Sequence, residues 1–128
     1  LDVGHNPHAA KELAKTLSGL PKATRQVAVF GMLSDKDRAQ VCRIMVSSFN
    51  KWYLSDLQGP RGGIAQDLCA MLSEAGVPQE KIQTFKTVEE ALQRAIEEAH
   101  ETDRIVTFGS FLTVASAIEY LKEKVGRN

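Results

Sequence analysis

The sequence has no charge to spare, since 16 Lys and Arg balance 16 Asp and Glu across 128 residues. Without a net field to gather polyanions, nucleic acid and anionic lipid surfaces are not expected partners. No apolar run approaches the ~20 residues needed to span a bilayer, and no basic start followed by an apolar stretch marks a signal peptide. Cysteine is scarce: Cys42 and Cys69 each lie within an apolar helical pattern, with no CxxC or Cys/His spacing. They read as buried reduced thiols, without a redox or metal role. The three histidines, His5, His8 and His100, are too scattered for a metal site. The chain also lacks linkers, internal repeats, low-complexity tracts and an initiator methionine. Because its first residues read as the inside of a strand, the expectation is a segment excised from a longer protein. What these absences leave is a soluble cytoplasmic domain, 43% apolar and 25% charged, long enough to bury a real core.

What is present alternates between two periodicities. Apolar runs rich in β-branched or aromatic residues occur at Leu1 to Val3, Gln26 to Phe30, Trp52 to Leu57, Ile82 to Phe85 and Ile105 to Phe108. Between them, Ala9, Leu13, Leu17 and Leu20 follow helical spacing, as do Val41, Met45 and Phe49. A third helix carries Ile64, Leu68, Met71, Leu72 and Ala75 and stops at Gly76, with Pro78 beyond. The fourth aligns Val88, Ala91, Leu92, Ala95, Ile96 and Ala99 behind a Thr87/Glu90 capping box. A last helix is expected from about Leu112 to Lys124. Strands alternating with helices of this length imply an α/β fold. The expectation is a single three-layer Rossmann-like domain over residues 1–128, its mostly parallel sheet of about five or six strands flanked by helices.

In such a fold, chemistry gathers at the carboxyl ends of the strands. The first turn, DVGHNP, places Asp2, Gly4 and His5 between a strand and a helix that Asn6 can cap and Pro7 can start. In the second, GMLSDKD, Ser34 is suited to capping, Asp35 and Asp37 suit the helix dipole, and Lys36 has no such structural use. The third, SDLQGPRGG, sets Arg61 among glycines that let backbone approach a ligand closely, though a plain turn needs the same residues. The fifth, GSFLTV, puts Ser110 at a helix N-terminus, where a hydroxyl can cap the helix or hold a carboxylate. Asp56 ends the third strand, where a phosphorylated receiver domain would carry its aspartate. A receiver also needs an acidic pair after its first strand and a lysine ending its fifth, and here those positions offer Asp2 alone and Gly109-Ser110.

Taken in order, DVGHNPHAA, GMLSDKD, GPRGG and GSFLTV resemble the C-terminal domain of the folylpolyglutamate synthase/dihydrofolate synthase family, within the Mur-type ATP-dependent amide ligases. The resemblance covers nearly the whole chain. It implies an ATP- and Mg²⁺-dependent enzyme that activates a carboxylate as an acyl phosphate for attack by the amine of L-glutamate, extending dihydropteroate or folates. It further implies that Asp2 and His5 meet ATP, and that His5 and Ser110 meet glutamate. Asn6, Lys36 and Arg61 would be site or interdomain contacts. No residue here would be a catalytic nucleophile, and none a metal ligand. No GxxxxGK[ST] occurs in the sequence, so the phosphate loop and the metal are expected on an N-terminal ATPase domain of the same, monomeric polypeptide. This chain alone is then expected to be inactive. The alternative function is a stand-alone receiver-like signalling or ligand-binding module.

Overall fold

The computed structural model describes residues 6–34, 37–59, 62–109 and Val114. Four parallel strands form one sheet: β1 (Gln26–Gly31), β2 (Lys51–Ser55), β3 (Ile82–Phe85) and β4 (Arg104–Gly109). Their spatial order is β3-β2-β1-β4. Helices α1 (Pro7–Ser18), α2 (Arg38–Met45), α3 (Ala65–Glu74) and α4 (Val88–Glu98) alternate with them. The α/β class and the parallel sheet are as expected. Among the described residues the sheet has four strands rather than five or six; the strand expected at Leu1 to Val3 and the helix expected at Leu112 to Lys124 lie outside them, apart from Val114.

Successive strand residues point to opposite faces, and this divides the core in two. On one face Ala28, Phe30, Trp52, Leu54 and Phe108 meet the apolar sides of α1, α2 and α3. On the other Val27, Val29 and Tyr53 meet Val88, Ala91, Leu92 and Ala95 of α4. The result is the expected helix, sheet, helix sandwich. At the centre of the first face Phe30 and Phe108 stack at 4.6 Å between ring centroids, and Trp52 stands edge-on to both. Cys42 and Cys69 are buried free thiols in the same cluster, as their helical setting suggested.

Local chemistry moves several boundaries. The Thr87 hydroxyl accepts from the Glu90 backbone N–H and donates to the Glu90 carboxylate, both at 3.1 Å, so Thr87 caps α4 and the Glu90 side chain returns to its hydroxyl rather than to its backbone N–H. Gly76, at φ +103, ends α3 with the Val77 N–H returning to the Leu72 carbonyl. Ser34 does not cap α2. That helix begins later, with Asp37 at the cap position and its carbonyl taking the Val41 N–H. The pattern from Val41 to Phe49 is not one helix either: a 3₁₀ turn at Val46–Ser48 follows α2, and Phe49 is extended, its ring 5.1 Å from Trp52. β2 stops at Ser55 because the Leu57 N–H turns to the Gly63 carbonyl. Leu20 and Ile64, expected inside, fall just beyond helix ends and are 43% and 56% exposed. No described helix is long and apolar enough to cross a membrane.

Candidate functional site

The strand order locates the site before any side chain is considered. From β1 the chain winds outward through β2 to β3, then returns across the sheet to β4 on the other side of β1. The strand order therefore reverses between the neighbours β1 and β4, and in α/β sheets ligands bind outside the carboxyl ends of the strands at such a point. The last rung there pairs Gly31 with Gly109. Gly109 has φ +121, and a Cβ on it would run into the Gly31 carbonyl and lie 3.0 Å from Cδ1 of Phe30. Glycine is required at that rung by both torsion and space.

Two further loops reach the same edge. The connection after β2 folds back so that the Leu57 N–H bonds the Gly63 carbonyl at 2.9 Å and the Gly62 N–H bonds the Gly59 carbonyl at 3.0 Å. Gly63 then presses on the chain leaving β1: a Cβ on it would collide with the Met32 carbonyl. The Asp56 Oδ1 accepts the Ala65 N–H at 2.6 Å and so satisfies an otherwise open donor at the start of α3. That bond gives Asp56 a structural duty, and nothing favours its reading as a receiver's phosphorylated residue.

At the first motif, the Asn6 side chain accepts the Ala9 N–H at 2.8 Å and caps α1. The far end of α1 is tied to the amino edge of the sheet, where Arg104 at the start of β4 donates to the Pro21 carbonyl. A twelve-residue helix is about 18 Å long, close to the length of these strands, so Asn6 lies toward the carboxyl edge. Asn6 is the one expected site residue among the described ones. Asp2, His5, Lys36, Arg61 and Ser110 lie outside them. Their described neighbours, Asn6, Ser34, Asp37, Gly59, Gly62 and Gly109, all belong to the ends of helices or strands on this edge or the loops joining them.

The sequence reading passed over Arg38, the first residue of α2. Its side chain is only 11% exposed, and its guanidinium Nη1 lies 3.7 Å from Oδ2 of Asp67 on α3. A charge at this place carries no pattern in the sequence, because a solvated arginine in a first helical turn looks the same. Among the described residues no three His, Cys, Asp or Glu side chains cluster to hold a metal ion. Cys42 is no nucleophile, since burial pushes its thiol up to about 12. A surface cleft of about 430 Å³, bordered by Asp56, Gln66, Phe85 and Lys86, extends this edge past β2 and β3.

Comparison with known proteins agrees with this geometry. The family described as "Mur ligase, glutamate ligase domain" matches residues 1–111. A dihydrofolate synthase/folylpolyglutamate synthase of Escherichia coli K12 is 38% identical over 120 residues, covering 94% of this chain and 27% of that protein. One from Haemophilus influenzae is 35% identical over 117 residues, or 90% of this chain and 26% of that protein. The chain thus spans about a quarter of the length of these relatives. Among solved structures, E. coli FolC in complex with ADP superposes with a TM-score of 0.88 at 36% identity, over 98% of this chain and 29% of that one. A Mn-, AMPPNP- and L-glutamate-bound bifunctional folylpolyglutamate synthase/dihydrofolate synthase superposes with a TM-score of 0.78 at 39% identity, over 95% of this chain and 28% of that one. A sheet whose glycine-lined switch point joins the ends of the second and fifth motifs, together with a family match over most of its length, leaves one assignment: this chain belongs to the Mur ligase, glutamate ligase domain family.

Proposed function

We propose that the chain is the glutamate-ligase domain of a longer, monomeric cytoplasmic enzyme that uses ATP and Mg²⁺ to add L-glutamate to dihydropteroate, to folates, or to both. The observation that carries this reading is the meeting of the described motif ends on one carboxyl edge in a member of this family. Relatives solved with ADP, and with AMPPNP, Mn and L-glutamate, support the choice of nucleotide, metal and amino acid.

The donor set suits a half-site. A carboxylate at Asp2 can accept both hydroxyls of a ribose, and an imidazole at His5 can hydrogen-bond a nucleotide or an amino acid. A hydroxyl at Ser110, the residue after Gly109, is a donor that can bind a carboxylate. Asn6, Lys36 and Arg61 would complete the contacts with ligand or with a facing domain, although Asn6 spends its side-chain oxygen on α1. The sequence has no phosphate loop, so the triphosphate and its Mg²⁺ are assigned to an ATPase domain elsewhere on the polypeptide. Bound there, they would supply the phosphoryl group that activates the carboxylate of the pteroate or folate as an acyl phosphate, with ADP as the leaving group. This domain contributes position: by closing over the site it presents the glutamate amine to the acyl carbon and keeps water away.

The test is ligation by the full-length protein, given ATP, Mg²⁺, L-glutamate and either dihydropteroate or a reduced folate. One ADP per amide bond formed is expected, and the 128-residue chain alone should neither hydrolyse ATP nor ligate. Product from the isolated chain, or none from the full-length protein, would overturn the reading.

A further inference from the structure

Arg38 is an expensive residue where it stands. Its Nε and Nη1 are buried and have no hydrogen-bond partner among the described residues. The Asp67 carboxylate, 53% exposed and 3.7 Å away, is too distant for a hydrogen bond and is shared with water. The guanidinium also lies by the N-termini of α2 and α3, whose dipoles oppose a positive charge. It is nevertheless packed against the glycine loop of the carboxyl edge, where a Cβ on Gly63 would come within 3.4 Å of Nη1. An ion pair at this separation, with a half-exposed carboxylate, adds little to stability that would offset the loss of hydrogen bonds at Nε and Nη1. Where such a group costs the fold something, the return is sought in binding.

We infer that Arg38 is held in the carboxyl edge as a fixed positive charge for an anionic substrate group, a phosphate or a carboxylate, that reaches this edge. The inference rests on the proposed function for the two sources of such a group, the nucleotide and glutamate. Arg38 acts through its field, which a largely buried charge projects further than a fully solvated one. Asp67 tempers that field from the solvent side.

The experiment uses the full-length protein and its Arg38→Met and Asp67→Asn variants. ATP and L-glutamate are titrated separately by calorimetry, with melting curves recorded in parallel, and ligation by the unmodified protein is assayed first. Met keeps the length of the apolar stem and drops the charge. Arg38→Met is expected to melt at or above the parent temperature and to bind one of the two anions about tenfold more weakly; which one weakens identifies the source. Asp67→Asn, at a half-exposed position, is expected to tighten the same ligand, and it carries the test if Arg38→Met does not fold. A lower melting temperature with both affinities unchanged would make Arg38 a structural strut and overturn the inference, as would no tightening in Asp67→Asn. Failure of the unmodified protein to ligate refutes the function. A variant that binds like an active parent refutes only the role of Arg38.

Discussion

Removing the Glu98 carboxylate is the perturbation whose size the structure sets most tightly. Its Oε1 accepts three donors at the C-terminal end of α4: the Tyr53 hydroxyl at 2.7 Å, the Gln83 amide at 3.0 Å and the Lys51 ammonium at 3.1 Å. Tyr53 is 1% exposed, so without Glu98 its hydroxyl loses its acceptor inside the core. A hydrogen bond to a charged group contributes about 1.5 to 3 kcal/mol, and the part-exposed Lys51 pair about 0.5 to 1 kcal/mol. Glu98→Ala should therefore cost about 2 to 4 kcal/mol. Tyr53→Phe leaves Lys51 and Gln83 on the carboxylate and should cost less, with a coupling to Glu98→Ala of about 1 to 2 kcal/mol. The readout is urea unfolding followed by Trp52, the single tryptophan, which is fully buried beside Tyr53 on β2. The same bonds, Tyr53 foremost, hold the Glu98 carboxyl at about 2. A folded pKa below the unfolded value of about 4.3 means stability that is complete above that value and lost as pH falls from about 5 toward 2. After allowing for solvent screening of a carboxylate that is a third exposed, about 1 to 2 kcal/mol should disappear across that window, and Glu98→Ala should lack this share while keeping that of Asp103, which Arg25 also holds low. Additive single mutants, or an acid transition identical in Glu98→Ala, would refute the account.

Two further outcomes test the edge of the sheet. Gly109→Ala should cost about 2 to 4 kcal/mol in the same unfolding assay, since it adds a collision with the Gly31 carbonyl to backbone strain, whereas Gly59→Ala, at φ +104 with open space around it, should cost about 1 kcal/mol; equal losses would remove the steric argument. In the full-length enzyme, Asp2→Ala should raise the KM for ATP about tenfold to a hundredfold, and Ser110→Ala should raise that for glutamate with only a small melting shift; a large melting shift with an unchanged glutamate KM would make Ser110 a helix cap.

The periodicities of this sequence were sufficient for the fold class, because alternation and helical spacing are local properties that burial then exploits. β3 runs from Ile82 to Phe85 as the sequence indicated, and the α4 stripe with its Thr87 cap is where it was expected. Motif order likewise carried the family, which depends on residue identity rather than on contacts. What remained hidden was whatever depends on residues far apart in the chain meeting. Strand order is one case: nothing local says that β4 returns to lie beside β1, yet this alone makes the Gly31 and Gly109 rung the switch point. Asp56 stands where a receiver would carry its aspartate, and only the fold shows that the backbone N–H of Ala65, nine residues away, is its partner. Leu20 and Ile64 fit a helical stripe by spacing, but the helices end before reaching one and start after the other. Arg38 and Glu98 were ordinary surface charges in the sequence. Only packing turned one into a largely buried cation against a glycine loop and the other into the acceptor of three side chains, since desolvation and partner geometry exist only once the chain is folded.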